Sequence, residues 1–433
     1  MKVHLQALID GEWQRAALLE FPTAREGRRG ECTFEYDFDY LFRWIAESPP
    51  LAAVSLKLPV EFGPKVWRRW PAFLDDLQPM GSARNWWLRR LNLPDEAASD
   101  IDILRRGTIA PIGNLRIEEA VPKTKEPPQR FPIQAVIDRE HAFIEYAASA
   151  GAHVGGATGA GGDSPKLLLR CDDTNQVWID VWQDDPACPD RHYLVKFARS
   201  RNARSSNERD RTILRSEYVY YKALAELGFE TIPQEGLALH EGPSGPSLWL
   251  PRFDVARRDG RELRFGLESI YSLLQAEPGS FQKHQAVLNA LQHVIPKTDW
   301  PTTRLEYLKR DLLNQVFGNS DNHCRNIAVL KTDSTVRLAP IFDFAPMKMD
   351  LDGITRTTTW EGYEVGGEVD WSALLRSFGR DEEFLRNGLH DLALRLRRLP
   401  ELLADLCLPE ETLDFAGLDL RGTEKRLRTW GFL

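Results

Sequence analysis

The order of strand-like and helix-like stretches predicts an α+β fold in three parts. Three observations carry this. Alternating apolar residues fill the first 60 positions, with an Asp10-Gly11 hairpin signal between Val3–Ile9 and Trp13–Phe21. Residues 121–134 (VPKTKEPPQRFPIQ) are rich in proline and charge, as an inter-domain connection is. From Leu263 onward the pattern is mostly helical. The expected parts are a small α+β domain at 1–125, a strand-rich unit at 135–253 and a mostly helical unit at 254–433.

Size and composition bound the function. A chain of 433 residues holds two domains or more, and 42% hydrophobic with 28% charged residues suits a soluble, globular protein. The net charge of −8 argues against broad non-specific nucleic-acid binding, while leaving room for a local basic patch. The 5 cysteines are scattered and form no Cys-x-x-Cys, so no disulfide scaffold or zinc site is expected and a reducing cytoplasm fits. The start, MKVHLQALIDGEW, has no apolar h-region, and no run of about 18 apolar residues predicts a spanning helix.

Further elements follow in order. Thr33–Tyr36 and Leu51–Pro59 read as strands, and residues 72–92 as helix broken around Pro79–Gly81. The pair Trp86-Trp87 reads as core rather than as a binding surface. Residues 100–107 form a short helix, and 137–150 a longer one with Asp138 and Glu140 in its first turn, where acids suit the helix dipole. Residues 177–183, 192–198, 236–240 and 247–250 read as strands, and Arg211–Leu227 as a helix. In 303–317, Leu305, Leu308, Leu312, Leu313 and Val316 share one helical face. Helices are expected again at 382–406 and 420–430.

That helix of 303–317 delivers the most informative stretch: Gly318-Asn319-Ser320-Asp321-Asn322-His323-Cys324-Arg325-Asn326, an apolar run, then Leu338-Ala339-Pro340-Ile341-Phe342-Asp343-Phe344. Asn326 follows Asp321 at +5, and Asp343 lies 22 positions after Asp321 (343 − 321). Phosphoryl transfer of the protein-kinase type uses this order. One Asp accepts the proton of the attacking hydroxyl, an Asn five residues on ligates a metal ion, and a second Asp beyond a short hairpin holds the metal that bridges the phosphates. Mg²⁺ suits such a site because it takes a few oxygen ligands and leaves the rest to water and phosphate. An Asn/Asp-rich loop can also be a mere turn, since these side chains cap backbone groups. An EF-hand frame starting at Asn319 fails, placing Cys324 where glycine is needed and Leu330 where the bidentate Glu is needed.

A second stretch adds weight. Residues 151–166 are glycine-rich, ending Gly161-Gly162-Asp163-Ser164-Pro165-Lys166 and running into the apolar Leu167-Leu168-Leu169. Glycine lets backbone N–H groups approach phosphate oxygens closely. A linker would also be glycine-rich, but need not end in Lys and enter a strand; a Walker A loop is excluded because Gly-Lys-[Ser/Thr] is missing. Lys196 lies inside the apolar strand 192–198, where it either snorkels or pairs with phosphates and with Glu217 of the next helix. Pro251-Arg252-Phe253-Asp254 follows where a kinase places the hinge between lobes.

Taken in order, these motifs resemble the HipA-like serine/threonine kinases, the toxin component of bacterial type II toxin–antitoxin pairs. The N-terminal block is similar through Phe34-Glu35-Tyr36-Asp37, Leu51–Pro59 and Phe73-Leu74-Asp75-Asp76-Leu77 with Pro79 and Gly81-Ser82-Ala83-Arg84. Gly-Asn-x-Asp-x-His-x-x-Asn paired with Leu-Ala-Pro-x-x-Asp is the specific part. The resemblance implies a two-lobed, protein-kinase-like fold that binds ATP and Mg²⁺. Carried over by position, Asp321 is the catalytic base; Gly161, Gly162, Asp163, Ser164, Lys166 and Lys196 hold phosphates; Pro251, Arg252 and Phe253 line the adenine site; His323 and Asn326 contact nucleotide or metal; and Asp343 holds Mg²⁺ with Asn326.

The resemblance also implies transfer to Ser/Thr of a protein such as an aminoacyl-tRNA synthetase, and autophosphorylation of a loop serine. That serine falls on Gly159 here, with Thr158 adjacent and Ser164 further on, so the switch is the weakest carry-over. The implied partner is a small helix-turn-helix antitoxin, with DNA reached only through it and no membrane. Two other readings share the residues: a nucleotide-binding regulator or co-repressor, which would bind ATP without turnover, and a small-molecule kinase, against which the N-terminal resemblance argues.

Overall fold

The computed structural model of the chain describes residues 1–150, 166–199 and 208–433. Strands β1 (Lys2–Ile9) and β2 (Glu12–Glu20) pair antiparallel across Asp10-Gly11, both of which take the positive φ that such a tight hairpin turn needs. With β3 (Cys32–Tyr36), β4 (Lys65–Trp67) and β5 (Leu115–Ile117) they form a five-stranded sheet in the order β4-β3-β2-β1-β5. Alternation turns Val3, Leu5, Leu19, Phe34 and Tyr36 inward, where Ile101 and Leu104 of the helix Ser99–Arg106 help close the core.

The second sheet has six strands in the order β10-β11-β9-β7-β8-β6, from β6 (Phe131–Pro132), β7 (Lys166–Cys171), β8 (Gln176–Trp178), β9 (Arg191–Phe197), β10 (Ala238–Gly242) and β11 (Gly245–Pro251). Its two faces bury different partners. Leu167, Leu169, Val195, Phe197 and Trp249 pack with Phe131 and Phe143. Leu194, Leu248 and Leu250 pack with Tyr220, Tyr221 and Leu224 of the helix Glu208–Glu226. The period of two places Lys196 on the Leu194 face, towards that helix.

The last part is mostly helical, as expected. The helix Trp300–Phe317 buries Leu308, Leu312, Leu313 and Val316 and packs on Glu382–Leu396. A small sheet of Gly266–Ser269, Ala328–Lys331 and Val336–Leu338 lies within it, and the last two of these strands form the hairpin between Asn326 and Asp343.

Four local expectations are corrected. Leu51–Pro59 is a series of turns, not a strand; it is apolar because it is buried between domains. Its polar groups find side chains instead of a ladder: Lys331 Nζ donates to the carbonyls of Ala53 (2.8 Å) and Val54 (3.3 Å), and Glu268 accepts from Ser55 Oγ (2.6 Å) and Leu56 N–H (2.9 Å). The helix 137–150 is instead two, Ile133–Ile137 and His141–Ser149. Arg139 takes a left-handed φ of 56° and the Glu140 N–H donates back to the Ala135 carbonyl, ending the first helix. The strand 177–183 stops at Trp178, because Asp180 accepts from Gln183 N–H (2.7 Å) and Arg170 (2.8 Å) and turns the chain. The helix 382–406 is interrupted at Arg397-Arg398, before Pro400 opens Leu399–Asp405. Of the tryptophan pair, Trp87 is buried as expected and Trp86 is half-buried.

Glu268 is buried and also accepts from Ser272 Oγ (2.7 Å), with Lys331 Nζ at 3.7 Å. Glu268→Ala leaves Lys331 without its buried counter-charge and is expected to cost about 3–5 kcal/mol. A urea titration followed by circular dichroism reads this, and an unchanged midpoint contradicts it.

Candidate active site

Lys196 is the hub of a buried charge cluster. Its Nζ donates to Glu217 Oε1 at 2.6 Å and to Asp343 Oδ1 at 2.5 Å. Lys166, opposite Lys196 in the β7–β9 register, reaches Asp343 Oδ2 at 3.6 Å. Tyr221, one helical turn after Glu217, donates to Glu217 Oε1 at 2.7 Å and accepts the Phe344 N–H at 3.3 Å. The Asp343-Phe344 peptide is thereby tied to the same helix. Asp343 itself holds a φ of +53°, a conformation strained for a residue with a Cβ and typical of sites where function fixes the backbone.

The charges shift one another. Burial alone would raise the Asp343 carboxyl, but Lys166 and Lys196 outweigh it and hold it well below the usual carboxylate range. Burial would lower Lys196, yet Asp343 and Glu217 push it above its ordinary value. Lys166 ends lowered, because burial and the neighbouring Lys196 exceed the pull of Asp343. Asp321 is raised by burial and by repulsion from Asp343, in spite of His323, which moves it towards a better proton acceptor.

Asp321 is placed by the end of the helix Trp300–Phe317. Gly318 caps that helix at φ +71°, and a Cβ there would come 2.1 Å from Leu418 Cδ2. Asparagines then shape the loop. Asn319 accepts the Asp321 N–H at 3.3 Å, and Asn322 spans to the segment after Asp343, donating to the Thr358 carbonyl (2.7 Å) and accepting the N–H groups of Thr357 and Thr358. Asn326 Nδ2 donates to the Asp321 carbonyl at 3.0 Å, and His323 Nε2 sits 3.4 Å from Asp321 Oδ1. The expectation of a mere turn fails to cover this: local caps account for Asn319, whereas Asn326 Oδ1 is buried with no hydrogen-bond partner among the described residues.

That oxygen and the Asp343 carboxylate are the donors a hard cation takes, so the residues fit Mg²⁺ held by few protein ligands. Among the described residues no group of three His, Cys, Asp or Glu forms a metal cluster.

A partly open cleft adjoins the cluster. Lys196 and Asp343 line it together with the apolar Leu194, Leu250, Phe253 and Phe342, which suit a flat base. Pro251 and Arg252 line it too, but the Arg252 guanidinium is engaged by Asp254 at 2.9 and 2.5 Å and its N–H by the His192 carbonyl. Ile112 of the N-terminal domain completes a wall, and Asp254 accepts the Gly113 N–H at 2.8 Å. Nothing in the local sequence signals Ile112, because its approach is set by domain packing. A second cavity is lined by Asp321, Asn326, Asn314 and His284. The structure thus gathers Lys166, Lys196, Asp321, His323, Asn326, Asp343 and the 251–253 segment. Gly161, Gly162, Asp163 and Ser164, with Thr158 and Gly159, lie outside the described residues.

The chain is thus an α+β protein in which a strand Lys bridges a helix Glu and the Asp that follows a hairpin. The chain belongs to the HipA-like family: residues 158–398 match the HipA-like C-terminal domain. It is 26% identical to Toxin YjjJ of Escherichia coli (strain K12) over an alignment of 294 positions that covers 64% of this chain and 60% of that relative's length. Among solved structures, the Shewanella oneidensis MR-1 toxin–antitoxin system HipA, HipB and its operator DNA complex is similar at a TM-score of 0.64 and 15% identity, over 98% of this chain and 97% of that one. The Helicobacter pylori proinflammatory kinase CtkA is similar over 63% of this chain and 94% of that one, at a TM-score of 0.41 and 14% identity. The likeness in fold therefore extends beyond the matched domain into the N-terminal part. No helix among the described residues is long and apolar enough to cross a membrane.

His284, which lines the second cavity, carries a pH signature. Burial keeps it neutral, lowering it from 6.5 to about 4 against Asp311, with Arg356 adding to the effect. Its Nδ1 lies 2.6 Å from Tyr307 Oη, and Trp360 stacks on its ring. The unfolded chain takes up a proton below pH 6.5 that the folded site refuses until about 4, so this stability is full above the first value and lost as pH falls towards the second. Thermal melts from pH 7.5 to 4.5 are expected to show about 2–3 kcal/mol of loss from this group, reduced in His284→Gln; equal pH slopes contradict it.

Proposed function

We propose that the chain is an ATP- and Mg²⁺-dependent serine/threonine protein kinase of the HipA toxin type. The observation that carries the reading is Lys196 bridging Glu217 and Asp343 beside Asp321. Structural ion pairs alone do not require a strained Asp343 on one cavity and, on a neighbouring cavity that shares Phe342 with it, a raised Asp321 and an Asn326 oxygen unpartnered among the described residues.

The roles follow from the chemistry. Asp321 orients the attacking hydroxyl and accepts its proton at the carboxylate. Asn326 Oδ1 and Asp343 would hold the metal. Bound Mg²⁺ supplies positive charge to the phosphate oxygens as charge spreads over them. Lys196, kept cationic by Glu217, holds the phosphates together with Lys166, and Gly161, Gly162, Asp163 and Ser164 offer backbone N–H groups. Leu194, Phe253 and Phe342 receive the adenine along the Pro251–Phe253 hinge. His323, buried next to Asp321, keeps that carboxylate oriented.

The proposed acceptor is a Ser or Thr of a translation-related protein such as an aminoacyl-tRNA synthetase, in the cytoplasm. A small DNA-binding antitoxin is the proposed partner; the similar Shewanella protein is solved with HipB and operator DNA. Transfer of γ-labelled phosphate from ATP to lysate proteins or to the chain itself tests the reading. Asp321→Asn is expected to lower transfer about 10²-fold or more while ATP still binds. Transfer at the wild-type rate in that variant refutes the role.

A further inference from the structure

Arg325 lies between Cys324 and the proposed metal ligand Asn326, in the loop that carries Asp321. Its side chain is fully buried, and it reaches two residues from the far end of the chain. Nη1 donates to the Asp75 carbonyl at 2.7 Å and lies 3.5 Å from Asp76 Oδ1. Both acids belong to the one-turn helix Leu74–Leu77 of the N-terminal domain.

Asp76 acts on the loop by a second route. Its Oδ2 accepts the N–H of Ser269 at 2.8 Å. Ser269 caps the helix Ile270–Leu274, whose first two N–H groups donate to the carbonyls of Ile327 (3.0 Å) and Cys324 (3.3 Å). The loop backbone on both sides of Arg325 is therefore pinned by a helix that Asp76 holds, and Arg325 itself is held by Asp76 directly.

A buried ion pair is a weak source of stability, because desolvation cancels most of the attraction and apolar substitutes often serve as well. Burial pushes the Asp76 carboxyl up to about 6 even though Arg325 and the Ser269 N–H pull it down, so the charge is kept against a penalty. What the pair supplies is a fixed direction for a loop whose Asp and Asn must be placed to within a fraction of an ångström.

We propose that Asp76 and Arg325 are positioning residues of the phosphotransfer site, and that the N-terminal domain completes that site by fixing the loop of Asp321 and Asn326. The effect on rate rests on the kinase reading; the effect on the loop does not.

The test uses the full chain and two readouts, the rate of phosphate transfer and hydrogen exchange of the amides in 320–327. Asp76→Asn keeps an oxygen for the Ser269 N–H and removes the carboxylate charge 3.5 Å from Arg325 Nη1, leaving Asp75 in place. It is expected to lower kcat about tenfold or more, with KM for ATP within about threefold, and to speed exchange in 320–327. Arg325→Lys keeps the charge and is expected to recover part of the rate, whereas Arg325→Met does not. A lower melting temperature with unchanged kcat and unchanged loop exchange reduces the pair to a structural contact and overturns the proposal. If Asp76→Asn does not fold, Arg325→Lys against Arg325→Met decides by the same two readouts. If the wild-type chain transfers no phosphate, the kinase reading falls, and loop exchange alone decides this proposal.

Discussion

Asp343 is the residue on which the rest of the site depends. Two lysines from adjacent strands, Lys166 and Lys196, converge on its carboxylate, and such a pair of buried cations is tolerable only because Asp343 and Glu217 face them. Each member therefore fixes the others: Glu217 through Lys196, the helix Glu208–Glu226 through Tyr221, and the turn after Ile341 through Phe344. A carboxylate held by cations on one side is also the natural exchange point for another cation and its anion. In the proposed reaction Asp343 would hold the metal, and Lys166 and Lys196 the phosphates.

The N-terminal domain is bound into this arrangement by buried polar contacts, not by apolar surface alone. Glu268 and Lys331 satisfy the backbone of residues 53–56, Asp254 takes the Gly113 N–H beside the cavity, and Arg325 reaches Asp75 and Asp76. Buried polar groups of this kind are costly when unpaired, so the two surfaces fit in one register or poorly. The same contacts bring Ile112 to the cavity wall.

Much of this was legible in the sequence where spacing and period are local. The Asp10-Gly11 hairpin, the amphipathic 303–317 helix and the strand that turns Lys196 towards Glu217 follow from periods of two and 3.6. The motif 318–326 told which residues gather around Asp321, because its neighbours are side chains of one loop. The failures are tertiary. Leu51–Pro59 reads as a strand since burial and strand propensity give the same apolar run, and only the partners Glu268 and Lys331, more than 200 positions away, distinguish them. Arg139 ends a helix in a conformation its residue type does not announce. Arg325 was visible as a letter in a motif, but its partners Asp75 and Asp76 lie 250 residues earlier in a segment that reads as ordinary helix.

Asp343, now paired with Lys166 and Lys196, would hold the metal that accompanies ATP. The most direct measurement is the affinity for ATP by calorimetry with and without Mg²⁺, in the wild-type chain and in Asp343→Asn. Mg²⁺ is expected to tighten ATP binding about tenfold or more in the wild type and to have little effect in the variant. Equal tightening in both, or none in the wild type, would contradict it.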